Sequence, residues 1–510
     1  MPDIILTTLN AKYIHSSFGL RYLKANLGAL EARSLLLEYT IQHRPIDIVQ
    51  ELIEQEPRII GMGIYIWNAV QSLSVIRLLK SVRPNITLVL GGPEVSYEHQ
   101  QQELCTLADY VISGEGEVAF RELCAAVLDG SPPDKKNHFP SPPDVNALTL
   151  PYALYSDSDI ANRVIYVEAS RGCPFRCQFC LSALDEKVRT FPMDDFLGAL
   201  KDLLNRGARQ FKFVDRTFNL APKFTNAILS FFHQEYVPGL FLHFEMIPDR
   251  FPPMLKDWLS KFPEGCIQLE VGIQTFNSEV AARIERRQDD ARISENLSWL
   301  IEHNIHLHTD LIIGLPGESL ESVAAGFDRL IALGAQEIQV GILKRLRGAP
   351  IIRHTEAFEM IFSPEPPYEI LQSKDWSFEG LAQMRRFARY WDMVGNSGRY
   401  GRTLTLLLEG DSSFMAFLRF SEWLFERTGK THKISMERML QLLFEYLEAQ
   451  SPHSKTVLAT ALATDYCHAT QHRRPPHFLR EWVPEVGLEP TQGHELVPER
   501  QRRHLRGSPS

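Results

Sequence analysis

Three cysteines, Cys173, Cys177 and Cys180, fall within eight residues of "SRGCPFRCQFCLSA" (170–183), while the other four, Cys105, Cys124, Cys266 and Cys467, stand singly. Thiolates spaced C-x3-C-x2-C are soft metal ligands, and a loop broken by Gly172 and Pro174 can wrap one compact centre. A structural zinc site closes its tetrahedron with four protein ligands. Here a fourth would have to come from a distant cysteine or a histidine. An iron–sulfur cluster held by three cysteines instead leaves one iron open, and an open metal position is where substrate or cofactor binds. Asp215, Glu245 and Gln274 are polar groups at the ends of apolar runs, where a site residue and a satisfied structural group look alike.

The elements that must position these residues follow from hydrophobic rhythm. Up to about residue 130, apolar runs at 3–8, 34–40, 58–64, 86–91 and 109–112 alternate with helix-period stretches such as "GLRYLKANLGALEA" and "NAVQSLSVIRLLKSV". That alternation predicts a parallel sheet covered on both faces, with ligands bound off the carboxyl ends of its strands. Those ends carry "GMGIYIWN" (61–68), "GGPEVS" (91–96) and "SGEGE" (113–117). A proline-rich polar stretch, 131–160, reads as a linker. The rhythm resumes at "RVIYVEA" (163–169), just before the cysteines, and continues with strands at 210–214, 241–246, 267–273, 306–313 and 337–343. Six parallel strands with right-handed crossovers curl into a partial (β/α)6 barrel over 161–364, whose chemistry belongs at the carboxyl strand ends. Residues 365–470 read as helical, and 471–510 as a proline- and charge-rich tail expected to be disordered.

The 510 residues are 44% hydrophobic and 23% charged, with a net charge of −9. No run approaches the length of a membrane span, and the first residues read as a strand rather than a signal peptide. An acidic chain argues against general nucleic-acid binding. An odd number of scattered cysteines is not a disulfide framework, so a cytoplasmic location with reduced thiols is expected.

C-x3-C-x2-C with an aromatic, Phe179, before the third cysteine resembles the radical SAM superfamily signature. The resemblance implies that Cys173, Cys177 and Cys180 hold a 4Fe–4S cluster at the end of the first barrel strand. The open iron would then bind S-adenosylmethionine (SAM), and one electron would cleave it to a 5′-deoxyadenosyl radical. The later strand ends are also similar. "FKFVDRTFN" (211–219) carries Asp215 and Asn219, "HFEMIPDR" (243–250) carries Glu245, and "LEVGIQTFNSEV" (269–280) carries Gln274. In "DLIIGLPGES" (310–319) the backbone at Ile312 and Gly314 would lie by the adenine.

A five-stranded domain ahead of such a barrel resembles the cobalamin-binding class of that superfamily, with a Rossmann-like (flavodoxin-like) domain over 1–130. The resemblance implies a backbone-lined cleft for cobalamin at Asn10, Gly61, Gly63, Gly91, Gly92, Pro93, Gly114, Glu115 and Gly116. The cobalt-ligating D-x-H-x-x-G pattern is absent. "NAKYIHSSFG" (10–19) has His15 at another spacing, which reads as a loop or substrate-facing residue. The function implied is cobalamin-dependent methyl transfer to an unactivated carbon of a small-molecule or lipid-like substrate, with a flavodoxin or ferredoxin as electron donor. The alternatives are a radical rearrangement, cyclisation or oxidation, or a non-catalytic sensor. A tRNA methylthiotransferase would need further cysteines for a second cluster, and the first domain has only Cys105 and Cys124. The arginines and aromatics of "MRRFARYWDMVGNSGRY" (384–400) suit either a substrate cap or core with a solvated face.

Overall fold

Strand β1 (Ile4–Asn10) buries all seven of its residues, which places it at the centre of a sheet. The computed structural model, which describes residues 1–487, divides into two units. The first comprises Met1–Arg216 with Lys344–Ile352 and Ser363–Glu369, and the second Thr217–Leu343, Arg353–Phe362 and Ile370 onward.

In the first unit, β1, β2 (Ser34–Thr40), β3 (Ile59–Gly63), β4 (Thr87–Gly91), β5 (Tyr110–Ile112) and β6 (Asn137–His138) form a parallel sheet in the order β2-β1-β3-β4-β5-β6. The order reverses between β1 and β3, and the crevice at such a switch point is where ligands bind. Helix α1 (Phe18–Ala25) precedes β2, and Pro45 opens α2 (Pro45–Glu54) at a position where its missing N–H costs nothing. Helices α3 (Ala69–Val82), α4 (Glu103–Leu107) and α5 (Glu117–Leu128) complete the set. Ile48, Val49 and Leu52 of α2 pack with Val75, Ile76 and Leu79 of α3 and Leu104 of α4 on one face. Leu20 of α1 packs with Phe120 and Leu123 of α5 on the other. Each such side chain contributes about 1.5–3 kcal/mol on burial. The stretch read as a linker supplies β6, which pairs with β5 through Val111 and Ile112.

The same unit contains β7 (Ile165–Val167), the short antiparallel pair β8 (Ser170–Arg171) and β9 (Arg189–Thr190), and β10 (Gln210–Phe213), which pairs parallel with β7. Two linker tyrosines brace β7. The Tyr155 hydroxyl bonds both the N–H (3.1 Å) and the carbonyl (2.9 Å) of Tyr166. The Tyr152 hydroxyl does the same for Glu168 at 3.1 and 3.2 Å.

The second unit carries parallel strands β11 (Phe241–Met246), β12 (Ile267–Gln274), β13 (His306–Ile313) and β14 (Glu337–Ile342). Its last helices begin at Ser377, Ser412, Ser435 and Ser454. Each serine accepts a bond from the backbone N–H three residues on, a cap that contributes about 1 kcal/mol. Met384, Phe387, Tyr390 and Trp391 are buried, with Phe327 against Trp391 at 4.7 Å between ring centroids. Arg386 pairs with Glu422 at 2.7 Å, so the 384–400 stretch combines buried core aromatics with an arginine held in an ion pair. Asn396 closes the edge of β14, accepting from Ile338 N–H at 2.8 Å and donating to its carbonyl at 2.9 Å. In the expected tail, His477–Leu479 forms a 3-10 turn with Leu479 buried; residues 488–510 lie outside the described residues.

Candidate active site

Cys173, Cys177 and Cys180 lie on the loop that β8 and β9 close. The ladder is two residues long, Ser170 opposite Thr190 and Arg171 opposite Arg189. Gly172 turns the chain with φ +91°, and a Cβ there would collide with the Lys187 carbonyl oxygen. Cys173 N–H donates to the Asp185 carbonyl (2.8 Å), and Cys180 N–H to the Cys177 carbonyl (3.0 Å). Cys173 and Cys177 are buried and Cys180 half-buried, and none of the three is in a disulfide. Burial pushes the Cys173 thiol up, a backbone N–H bond from Phe175 opposes this, and Cys180 and Cys177 push it further up. Among the described residues no three His, Cys, Asp or Glu side chains close on a single ion. A four-iron cluster makes a different demand, because each cysteine reaches its own iron, and three cysteines outside any disulfide on one short loop fit it. Phe179 is half-buried.

Asp215 follows β10 and is buried, accepting from Ala169 N–H at 3.0 Å and from the Ser170 hydroxyl at 2.6 Å. Burial raises its carboxyl to about 6. It holds the entrance to the cysteine loop. His15 bonds the Tyr166 hydroxyl through Nδ1 at 2.7 Å, and burial lowers its basicity.

Off the carboxyl ends of β3, β4 and β5 opens a cleft of about 250 Å³. Seven of the nine first-domain positions expected to bind cofactor line it: Gly61, Gly63, Gly91, Gly92, Gly114, Glu115 and Gly116. Asn10 instead donates to the His15 carbonyl and to Glu38, both at 3.0 Å, and Pro93 is exposed. Gly92 has φ +104°, and a Cβ there would sit 2.5 Å from the Ile64 carbonyl oxygen, so only glycine serves. Leu20, Leu90, Ile112 and Phe120 make an apolar floor, and Glu115, Glu117, Glu168 and Arg171 a charged rim. Arg171 bonds Glu115 and Glu117 at 2.8 Å and Glu168 at 2.9 Å, with its guanidinium 4.6 Å from the Tyr22 ring centroid. Burial raises Glu168 to about 7 despite Arg171. Burial also acts to raise Glu115, but Arg189 and Arg171 outweigh it and hold that carboxyl below its ordinary range. The second oxygen of Glu117 is buried without a hydrogen-bond partner. Glu117, Glu168, Arg171 and Arg189 were not legible as site residues, because only their convergence marks them.

In the second unit, Glu245 of β11 lies opposite Glu270 of β12, which lies opposite His308 of β13. Glu270 bonds His243 at 2.9 Å, and His308 lies 3.6 Å from Asp310. Gln274, at the end of β12, has φ +70°, rare for a residue with a side chain, and its amide nitrogen sits 2.5 Å from where a Cβ on Gly272 would be. Ile312 pairs with Gly341 of β14, and Gly314 has φ +89°. Asn219 holds the following loop, donating to the Ile247 and Arg250 carbonyls at 2.9 and 2.6 Å.

Comparison with known proteins meets this geometry domain by domain. The B12 binding domain family matches residues 4–124, the Radical SAM superfamily residues 167–330, and a family described as "Protein of unknown function (DUF4080)" residues 356–492. The chain thus carries a stretch matching the B12 binding domain followed by one matching the Radical SAM superfamily, and solved neighbours of its fold hold cobalamin with a 4Fe–4S cluster or with SAM. It is 26% identical over 339 residues to the cobalamin-dependent radical SAM methyltransferase TokK of Streptomyces tokunonensis, covering 59% of this chain and 49% of TokK. The chain thus spans about half the length of that relative. Over 179 residues it is 32% identical to the ribosomal protein uS12 methylthiotransferase RimO of Syntrophus aciditrophicus, 33% of this chain and 38% of that protein. Its fold is that of the cobalamin-dependent S-adenosylmethionine radical enzyme OxsB, solved with aqua-cobalamin and SAM bound. The TM-score is 0.63 at 13% identity, covering 91% of this chain and 79% of OxsB. Among the described residues no helix is long and apolar enough to cross a membrane.

Proposed function

We propose that this protein is a cobalamin-dependent radical SAM methyltransferase acting on an unactivated carbon. The observation that carries the reading is the shared rim. The glycine-lined cleft of the B12-binding domain and the stem of the cysteine loop meet at Arg171, two residues before Cys173. When bound, the cluster and SAM supply a hydrogen-abstracting radical, and cobalamin supplies the methyl group. The chain's residues bind and orient. Cys173, Cys177 and Cys180 offer the thiolates, Asp215 fixes the loop that bears them, and the apolar floor with glycine walls takes a flat ring. A cleft of about 250 Å³ suits the nucleotide tail of cobalamin rather than its macrocycle. Glu245, Gln274, Ile312 and Gly314 are the residues proposed to hold SAM, and a flavodoxin or ferredoxin would supply the electron. Anaerobic purification with iron and cobalamin supplied tests the cofactors, since the visible spectrum reads both. Incubation with SAM labelled at its methyl group then tests transfer. Labelled product supports the proposal, and 5′-deoxyadenosine without label in any product favours a radical rearrangement or oxidation instead.

Similarity to a methylthiotransferase raises a second reading. Cys105 and Cys124 weigh against it, because they are buried in cores on opposite faces of the first sheet. Burial pushes their thiols up to about 11 and about 12, as for structural cysteines in an apolar core.

A further inference from the structure

Among the described residues Glu115 is the one carboxylate that bonds both strands of the cysteine-loop stem. It accepts from Arg171 at 2.8 Å on β8 and from Arg189 on β9 through both guanidinium nitrogens. The path continues to a cluster ligand. Arg189 bonds the Asp185 carboxylate at 2.6 Å, and the Asp185 carbonyl accepts the N–H of Cys173 at 2.8 Å. These side chains are mostly buried, 13% exposed for each arginine and 22% for Glu115, so solvent does not screen them away. The stem has only two ladder residues per strand, so side-chain anchors, this one and Asp215 among them, share in holding the loop. Glu115 also lines the cleft.

We infer that Glu115 is a positioning residue that couples occupancy of the cleft by cobalamin to the geometry of the cluster loop. This rests on the cofactor assignment proposed above. A ligand in the cleft packs against the 114–117 turn and biases the Glu115 carboxylate toward one arrangement of Arg171 and Arg189. That arrangement fixes Asp185 and hence Cys173. A coupling of this kind is reciprocal: a cluster that orders the loop must tighten cobalamin binding by the same factor.

The test titrates hydroxocobalamin into the full chain in two forms, cluster-reconstituted and iron-free, and reads the Kd from the corrin absorption. For the wild type the two Kd values are expected to differ by about tenfold, within the usual range of coupling between sites. In Glu115→Gln, which keeps the shape and removes the charge, they are expected to converge to within about twofold. Arg189→Met reads the same link from the other side if the first variant fails to fold. A third measurement needs no variant, since cobalamin added to the wild type is expected to shift the midpoint potential of the cluster. Equal Kd values in the wild type, or a tenfold difference that survives in both variants, overturns the inference while leaving the cofactors in place. Absence of any corrin binding by the wild type overturns the cobalamin assignment itself, and this inference with it.

Discussion

Strands β1 and β13 are both central and parallel, yet β1 buries every residue while β13 buries its residues and half-buries them in near alternation. In the first unit both faces of the sheet are apolar, covered by α2–α4 on one side and by α1 and α5 on the other. In the second, His308 and Asp310 share one face of β13, and His243, Glu245 and Glu270 lie along the neighbouring strands. A doubly wound sheet has no interior to spare, so its ligand sits beyond the strand ends, where glycines and the 114–117 turn wait. Strands that keep one polar face can carry binding groups along their length. The same parallel pairing thus yields an end-on cleft in one unit and a polar strand face in the other.

Breaking the cysteine loop makes the sharpest separation. Changing Cys173, Cys177 or Cys180 to Ala is expected to bring 5′-deoxyadenosine formation to background while leaving cobalamin bound. Loss of corrin absorption as well would show that the cleft and the loop are not separable. Next, Gly92→Ala places a methyl 2.5 Å from the Ile64 carbonyl and forces an L-residue to φ +104°. About 1–3 kcal/mol of destabilisation is expected, with cobalamin affinity falling at least about tenfold and SAM affinity unmoved; equilibrium titration of each ligand checks it.

Glu318 sharpens the contrast from the second unit. It is 2% exposed and accepts from Thr275 and Ser322, and burial raises it to about 7 from an ordinary 4.5. A raised carboxyl stabilises the fold most below about pH 4.5, and that contribution fades as pH rises through about 7. Glu318→Gln is therefore expected to be more stable than the wild type at pH 8, by up to about 3 kcal/mol, and to lose the advantage near pH 4.5. Denaturant unfolding at both pH values decides it, and an equal effect at both contradicts the buried-acid account. The smallest effect belongs to Ser454→Ala, which removes the N-cap bond to Val457 and is expected to cost about 1 kcal/mol with no change in either cofactor's binding.

Cysteine spacing, the glycine turns after β3, β4 and β5, and the strand positions were readable directly, because each is local. Periodicity reports burial, and a ligand triad on one short loop needs no partner from elsewhere. The linker was less transparent. Tyr152 and Tyr155 lie in a stretch whose prolines signal irregular chain, but their hydroxyls serve β7 as a neighbouring strand would. Asp215 was readable as a polar group at a strand end, while its bonds to Ala169 and Ser170 are set by pairing of β10 with β7.

By itself the sequence determined the groups proposed to hold the cofactors: three thiols of matched spacing and a sheet whose strand ends are glycine. Only the tertiary structure decided how the two are joined. Glu115 lies 56 residues from Arg171 and 74 from Arg189, and no local pattern relates them. Charges in a sequence are mostly solvated faces. It takes the fold to bury one carboxylate between two arginines and set it at the rim of a cleft.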